Sequence, residues 1–324
     1  MNRLLLLAAV CLPLSGCISL EGIWYSPVPI DTYTFPNNAI PETHVELVEL
    51  PGTQVEGEDE APTIFGVWAH QCTSAAASSC ADHADHPEFS EARRERTILY
   101  FHGNGGNLDH YWDRVQILWR MGYRVFAIDY RGFGRSTGSP SEAGVYADGQ
   151  TALAAVKARM ATENPLIDPE DPPPAATLRL GYYGWSLGST VAIDLATVDN
   201  PAALVTEAAL ASAQAFANDG VGTGHSHTIL MDTQFDNLAK IPTVLAPKLL
   251  THGTEDSFVR FEFSEELFDA ARDPKRFLPV PGGEHGNVPC PATRDPSIPS
   301  SEAPCVASQA YIDAVTSFLD ESLF

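Results

Sequence analysis

Basic residues are scarce in this chain of 324 residues. Lysine and arginine total 19 against 42 aspartates and glutamates, which gives a formal net charge of −23. A surface with this charge repels phosphate backbones, so the composition excludes nucleic-acid binding. It also disfavours anionic small substrates unless a local cationic pocket attracts them. Hydrophobic residues make up 44% of the chain, which is ample for a buried core and excludes a disordered protein.

Long hydrophobic runs are also lacking at the start of the chain, where a membrane anchor could stand. The cationic Met1-Asn2-Arg3 precedes an apolar run over residues 4–14. This run is too short to cross a bilayer as a lasting helix, and it has the form of a signal peptide. We therefore expect residues 1–16 to be a signal that is removed on export.

The end of this run, Leu14-Ser15-Gly16-Cys17, resembles the lipobox of bacterial lipoproteins, whose cysteine is acylated and becomes the new N-terminus. The resemblance implies that lipid on Cys17 anchors the protein to a membrane, with residues 17–44 as an anchored N-terminal segment. Because Ile18 rather than an aspartate follows the cysteine, it also favours the outer membrane. The expected location is the cell envelope, at the outer membrane, the periplasmic face or the cell surface. An ordinary secretory signal with a coincidental cysteine is the alternative.

Cysteines are few, with six in the chain. Four remain once Cys11 has left with the signal and Cys17 is acylated. They fall into two local pairs, Cys72 with Cys80 and Cys290 with Cys305. An even number of cysteines in an exported chain predicts disulfides. Closing the loop between the second pair should contribute roughly 3 kcal/mol, and we expect this pair to matter more for function.

A zinc site is the alternative at the first pair. Cys72 and Cys80 lie close in sequence to His70, His83 and His86, and thiolates with imidazoles are zinc ligands. However, the spacing matches no standard zinc finger, and an oxidising compartment favours disulfides. We therefore expect no metal, and no other cofactor is implied.

Buried strands alternate with helices from residue 97 to the end. Residues 97–101 and 125–128 are continuous apolar runs, as expected of strands buried on both faces. The pattern predicts further strands at 178–183, 204–210, 244–251 and 276–280, and helices at 108–121, 141–160, 187–197, 261–272 and 308–323. This alternation indicates an α/β fold with a mostly parallel central sheet and helices on both faces, after antiparallel strands within 45–67. We expect one domain over residues 45–324.

Gly184-Trp185-Ser186-Leu187-Gly188 is a G-x-S-x-G sequence between a predicted strand and a predicted helix. The turn is so tight that small residues must flank the serine, and it presents the hydroxyl above the sheet. The helix N-terminus favours the negative charge that develops during attack. A glycine-rich turn with an incidental serine is the alternative, but the strand-to-helix context favours Ser186 as a nucleophile.

A second glycine-rich loop, His102-Gly103-Asn104-Gly105-Gly106-Asn107, directly follows a predicted strand. Acyl transfer needs two N–H donors aimed at the tetrahedral oxyanion, and glycines let the backbone approach closely enough. Our candidates are the backbone N–H groups of Asn104 and Leu187. His102 stands before the serine in the chain, so we expect it to hold the loop rather than act as a base.

Two later loops supply an acid and a base. The segment His252-Gly253-Thr254-Glu255-Asp256-Ser257-Phe258-Val259 ends one predicted strand, and Gly282-Gly283-Glu284-His285-Gly286-Asn287 follows the last. We expect Asp256 to accept the Nδ1–H of His285 and fix its tautomer, with His285 as the base. Glu255 is the rival for the acid.

From about residue 60 onward the chain resembles the α/β-hydrolase superfamily, specifically the α/β-hydrolase-domain serine hydrolases with an H-G-N-x-G-N loop. The loops at Asn104, Ser186, Asp256 and His285 stand in that family's order. Residues 129–136 (Asp-Tyr-Arg-Gly-Phe-Gly-Arg-Ser) also match its loop after the second parallel strand. The resemblance implies the α/β-hydrolase fold and a Ser-His-Asp triad that works through an acyl-serine intermediate.

The same resemblance leaves the substrate open. We expect a carboxylic ester hydrolase, with a thioesterase or a serine peptidase on the same triad as alternatives. A non-catalytic envelope lipoprotein scaffold is the alternative from another class, and an intact triad with an oxyanion loop argues against it. One departure from the family is Ser189, where many relatives have glycine, and it removes no catalytic group.

Only residues 212–241 stand where many relatives insert a lid, and they are too few for a large helical cap. We expect a minimal lid, mostly a solvated loop that contains His225 and His227. A small lid favours an open pocket and an accessible small-molecule or lipid-like ester. We expect the protein to be a monomer.

Overall fold

The computed structural model describes residues 24–71, 93, 95–220, 233–291 and 305–324. The strands are β1 (Ser26–Pro27), β2 (Val45–Pro51), β3 (Thr63–Ala69), β4 (Thr97–Phe101), β5 (Gly105–Gly106), β6 (Arg124–Asp129), β7 (Gly181–Trp185), β8 (Ala203–Glu207), β9 (Lys248–Gly253) and β10 (Lys275–Val280). The α-helices are α1 (Leu108–Arg120), α2 (Glu142–Glu163), α3 (Leu187–Val198), α4 (Ala213–Gly220), α5 (Asn237–Lys240), α6 (Phe261–Ala270) and α7 (Gln309–Leu323). Short 3-10 helices cover Glu42–His44 and Ile241–Thr243.

The central sheet has eight strands in the order β10-β9-β8-β7-β4-β6-β3-β2. β2 and β3 are antiparallel to each other, and β3 is antiparallel to β6. The other neighbours are parallel, which confirms the predicted, mostly parallel sheet. Since parallel strands end at the same edge, the loops after β4, β7, β9 and β10 come together there.

Helices cover both faces of the sheet, as predicted. Buried side chains of α1 and α7 belong to one hydrophobic layer, and those of α2, α3 and α6 to the other. The middle strands β4, β7 and β8 are buried at every position, which explains their continuous apolar sequences. Within the described ranges, no helix has both the length and the apolar character that crossing a membrane requires.

The element boundaries differ from the prediction where the backbone leaves its regular conformation. The predicted strand 178–183 begins only at Gly181, because Arg179 adopts a positive φ of 58° in the turn before it. The predicted strand 204–210 ends at Glu207, because Ala208 has a φ of 50°. A left-handed residue cannot continue a ladder of strand hydrogen bonds, so these apolar residues lie in buried loops instead.

The segment predicted as a minimal lid contains more helix than expected. Residues 213–220 form α4, which supplies the half-buried Phe216 to the core. Residues 237–240 form α5, whose N-cap Asp236 accepts a hydrogen bond from the backbone N–H of Ala239. His225 and His227 lie outside the described residues.

Candidate active site

Ser186 lies in the turn that joins β7 to α3 and has a strained φ of 53°. This left-handed conformation is costly for a residue with a side chain. The glycines around it have a packing reason. A Cβ on Gly184 would overlap the carbonyl of Gly188, and one on Gly188 would overlap the carbonyl of Phe101. The turn thus has the tightness that the sequence predicted, and it holds the Ser186 hydroxyl at the sheet edge.

Ser189 replaces a common family glycine, and its hydroxyl has a structural use. Its Oγ donates to the carbonyl of Gly184 at 2.7 Å and lies 3.1 Å from that of Glu207. The fully buried side chain therefore ties the first turn of α3 to the ends of β7 and β8. This bonding stiffens the turn that carries Ser186.

Ser186, His285 and Asp256 meet at the sheet edge in one hydrogen-bonded row. His285 Nδ1 lies 2.8 Å from Asp256 Oδ2. On its other side, His285 Nε2 lies 3.1 Å from Ser186 Oγ. A carboxylate can only accept, so Nδ1 carries the proton and Nε2 is left free to accept the serine proton. This is the tautomer that general-base catalysis needs.

Asp256 is fixed by backbone and side-chain donors. Its Oδ1 accepts hydrogen bonds from the backbone N–H groups of Phe258 and Val259 at 2.9 and 2.8 Å. Burial opposes ionisation of this carboxyl, but hydrogen bonds from His252, His285 and the backbone outweigh it and hold its pKa well below the usual range. Asp256 is therefore charged at neutral pH. The rival Glu255 is exposed to solvent and makes no triad contact in the structure as described.

His252 is a positioning residue that sequence reasoning missed. Its Nε2 lies 3.1 Å from Asp256 Oδ2 and 2.9 Å from the carbonyl of Val259, and its Nδ1 lies 2.6 Å from Ser264 Oγ. Both neighbours of Nε2 are acceptors, so Nε2 carries a proton and Nδ1 accepts from the Ser264 hydroxyl. The sequence signal was a histidine at the end of the strand, four residues before the acid.

The candidate oxyanion donors border the same cavity as the nucleophile. Asn104 and Leu187 both line the small cavity beside Ser186. The Asn104 loop is held by the N-terminal segment, because the Ser26 N–H donates to the Asn104 carbonyl at 2.8 Å and β1 pairs in parallel with β5. This contact was not anticipated from the sequence, which assigned residues 17–44 to an anchor.

His102 is completely buried behind this loop. Its Nδ1 lies 2.7 Å from the carbonyl of Gly103. Its Nε2 is 3.1 Å from Asp129 Oδ1, although the contact lacks hydrogen-bond geometry. Its ring stacks on Tyr111 with centroids 5.0 Å apart. These contacts agree with the structural role expected of His102.

A buried ion pair between Arg114 and Glu207 contacts the loop that carries His285. Arg114 Nη2 donates to Glu207 Oε1 at 2.8 Å and to the carbonyl of Gly286 at 3.2 Å. Its guanidinium lies 3.9 Å from the ring centre of Trp185, and Trp185 Nε1 donates to the His285 carbonyl at 3.2 Å. Burial alone would lower the pKa of Arg114, but the adjacent Glu207 carboxylate raises it well above its usual value. Arg114 and Trp185 together thus hold the carbonyls of Gly286 and His285.

The cavity beside Ser186 is small and apolar. Its volume is about 40 Å³, and its described lining beyond Asn104, Ser186 and Leu187 consists of Trp24, Leu210, Phe216, Phe235, Phe258 and Val259. Only 4% of the Ser186 surface is exposed. The described residues beside Ser186 thus line a small cavity rather than the open pocket expected from a small lid, and Trp24 and Phe216 are part of that lining.

Of the cysteines predicted to form disulfides or carry lipid, the structure describes only the second pair. Cys290 and Cys305 are joined by a disulfide with their Cα atoms 5.5 Å apart. Cys17, Cys72 and Cys80 lie outside the described residues, as do His83 and His86. His70 bonds Glu46 Oε2 through its Nε2 at 2.9 Å. Among the residues described, no three or more His, Cys, Asp or Glu side chains form a group that could hold a metal ion.

A family model described as serine aminopeptidase, S33, matches residues 92–221. This range contains Asn104, Ser186 and Leu187 but ends before Asp256 and His285. The uncharacterized protein YfhR of Escherichia coli (strain K12) is 33% identical over 194 residues, which is 58% of this chain and 62% of that protein. The chain thus spans less than two thirds of YfhR.

Two further proteins extend the comparison. An uncharacterized protein of Mycobacterium tuberculosis is 31% identical over 230 residues, which is 69% of this chain and 70% of that protein. Among solved structures, the esterase Pf2001 of Pyrococcus furiosus is similar with a TM-score of 0.58 at 16% identity, covering 92% of this chain and all of that one. At this identity the structural likeness shows a shared fold alone.

Proposed function

The chain belongs to the α/β-hydrolase superfamily, and on that premise we propose that it hydrolyses carboxylic esters through an acyl-serine intermediate on Ser186. The observation that carries the proposal is the row of hydrogen bonds from Asp256 through His285 to Ser186. Two further features support it. Two candidate oxyanion donors border the nucleophile, and the adjoining cavity is apolar, as the acyl part of an uncharged ester requires.

The proposed reaction has two halves. In the first, Ser186 Oγ attacks the ester carbonyl carbon while His285 Nε2 takes the serine proton, and the N–H groups of Asn104 and Leu187 stabilise the oxyanion. Collapse of this intermediate breaks the bond to the alcohol oxygen, which takes the proton from His285. In the second half a water attacks the acyl-serine while His285 takes its proton; collapse then breaks the bond to Ser186 Oγ, which takes that proton from His285, and the carboxylic acid leaves. Asp256 keeps the imidazolium oriented and stabilised throughout.

A serine aminopeptidase is a second candidate, because the matching family model carries that description. An aminopeptidase must bind a free α-ammonium group, and a carboxylate near the nucleophile is the usual partner for such a cation. None of the described residues that line the cavity is acidic. The cavity therefore favours an ester or a thioester over an aminopeptidase substrate.

Labelling with a fluorophosphonate probe tests the nucleophile, and a substrate panel tests the reaction. We expect the wild type to be labelled and Ser186→Ala to lose the label, whereas a non-catalytic scaffold would show no labelling of either. A panel of p-nitrophenyl esters run beside thioesters and aminoacyl anilides should show the highest kcat/KM on esters. Faster cleavage of the anilides would replace the esterase assignment with a peptidase.

We also propose that the protein works as a monomer on a small-molecule or lipid-like ester. A separate proposal is that fatty acyl chains on Cys17 anchor the protein in the cell envelope. The support is the sequence Leu14-Ser15-Gly16-Cys17 after an apolar run. Membrane fractionation of the wild type and of Cys17→Ser tests it. The variant should move to the soluble fraction, and an unmodified Cys17 in soluble wild type would contradict the anchor.

A further inference from the structure

The N-terminal segment, residues 24–30, reaches the active-site edge although it precedes the matched family region. Trp24 is only 8% exposed. Its ring lies 5.4 Å from that of Phe216 in α4 and 6.0 Å from that of Phe235. These three aromatic side chains thus pack together and line the cavity beside Ser186, and the ring farthest from the others in sequence is Trp24.

Backbone hydrogen bonds tether this segment to the oxyanion loop. The Ser26 N–H donates to the Asn104 carbonyl at 2.8 Å, and the Val28 N–H donates to the Gly106 carbonyl at 2.9 Å. In return, Asn107 Nδ2 donates to the Val28 carbonyl at 2.8 Å. This pairing holds the segment that begins with Trp24 beside the loop that carries Asn104.

The cavity that Trp24 closes has the properties of a subsite for a short apolar chain. No charged side chain is present in its described lining, so an anionic or cationic group would be desolvated there without a partner. Its volume of about 40 Å³ is little more than the roughly 30 Å³ that one water occupies in the liquid, so only a short chain fits. Trp24, Phe216 and Phe235 set this limit.

The position of the cavity indicates which part of an ester it takes. The leaving alcohol must receive its proton from His285 Nε2, so it lies on the His285 side of Ser186. The cavity instead borders both oxyanion candidates, Asn104 and Leu187, and touches Ser186 alone of the three triad residues. The ring of Phe258 in the cavity wall also lies 4.9 Å from that of His285. The assignment of a chain in this cavity to the carbonyl carbon therefore rests on Asn104 and Leu187.

We propose that Trp24 forms the wall of an acyl subsite that selects esters of short, apolar carboxylic acids. This proposal rests on the ester hydrolysis proposed above and adds a substrate class to it. Trp24 is a specificity-determining residue supplied by the N-terminal segment, and the alcohol part of the substrate is not restricted by this cavity.

The test compares kcat/KM for p-nitrophenyl esters from acetate to octanoate. The wild type should prefer the short chains. Trp24→Ala should raise the ratio of the octanoate to the acetate value about tenfold or more, because each methylene that a hydrophobic pocket accepts or rejects is worth at least about that factor. Phe216→Ala opens the same cavity from a half-buried position and should shift the ratio in the same direction.

The matched control is Trp119→Ala. Trp119 is also buried, at 3% exposure, and its Nε1 donates to the His70 carbonyl at 2.8 Å. Its loss should reduce stability without changing the ratio. An equal shift in Trp119→Ala, or an unchanged ratio in both Trp24→Ala and Phe216→Ala, would overturn the acyl subsite.

Two other outcomes are decisive. If wild type hydrolyses octanoate as fast as acetate, the subsite is wrong while ester hydrolysis stands. If wild type hydrolyses no ester, the proposed function fails and the subsite with it. The last measurement is kcat/KM for acetate esters of alcohols of increasing length. A shift by Trp24→Ala in this series, rather than in the acyl series, would make the cavity an alcohol subsite and contradict the proposal.

Discussion

The active-site edge has two regions that are built in different ways. The triad region, formed by Ser186, Asp256 and His285, is placed by loops that each directly follow a strand of the parallel sheet. The pocket region, formed by Trp24, Phe216, Phe235 and Phe258, is assembled from an N-terminal segment, a short helix and two loops. Hydrogen bonds fix the first, whereas aromatic packing joins the parts of the second, whose N-terminal segment is also tethered by backbone hydrogen bonds. Under the proposed function, the sheet therefore places the reacting groups, and segments outside it line the acyl subsite.

The largest effect should come from the triad region. We expect Ser186→Ala and His285→Ala each to lower kcat by about 10⁴–10⁶-fold while the protein stays folded. The first removes the oxygen that attacks the ester, and the second removes the group that transfers the proton. Ser317→Ala on the exposed side of α7 is the control and should keep full activity. Residual activity above about a tenth of wild type in either triad variant would show that the triad is misassigned.

Asp256→Asn should cost less than loss of the nucleophile, about 10²–10⁴-fold in kcat, because the acid orients and stabilises the imidazolium without bonding to substrate. The control is Glu255→Gln at the adjacent exposed position, where we expect little change. Should Glu255→Gln be the more damaging substitution, the assignment of the acid would be wrong.

A substitution at Arg114 tests how much its ion pair with Glu207, which adjoins the triad region, contributes to the stability of the protein. Arg114→Met leaves the fully buried Glu207 carboxylate without its cation, which should lower the free energy of unfolding by about 3–5 kcal/mol. Denaturant unfolding measures this loss. Adding Glu207→Leu to Arg114→Met should recover part of it, since no uncompensated charge remains. A double variant less stable than the single one would contradict this account.

The smallest effect concerns the disulfide, which closes the loop after the base. Cys290→Ser with Cys305→Ser should lower the free energy of unfolding by roughly 3 kcal/mol, because the unfolded chain gains loop entropy. The wild type in reductant should fall to the same value, and the double variant should not respond to reductant. Non-reducing peptide mapping checks the pairing, including the predicted Cys72–Cys80 bond, and free thiols at Cys290 and Cys305 would refute it.

The fold and the triad region could be predicted because both follow from local sequence. Continuous apolar runs at residues 97–101 and 125–128 identify buried strands, and glycines at 184 and 188 identify a turn too tight for side chains. Strand ends were less predictable, since Ala208 and Arg179 leave the extended conformation for reasons of tertiary packing. Helix α4 was missed because it has only eight residues, and helices of that length are stabilised by packing rather than propensity.

The sequence by itself determined the α/β fold and which loops bring Ser186, Asp256 and His285 to one edge, because parallel strands deliver successive loops to the same place. Only the tertiary structure decided what surrounds them. Arg114 became visible as a support through contacts with Glu207 and Gly286, which lie 93 and 172 residues away in the chain, and Trp24 became part of the cavity through pairing of β1 with β5. Contacts between residues so far apart in the chain leave no periodic pattern in the sequence, since they depend on how complete elements pack.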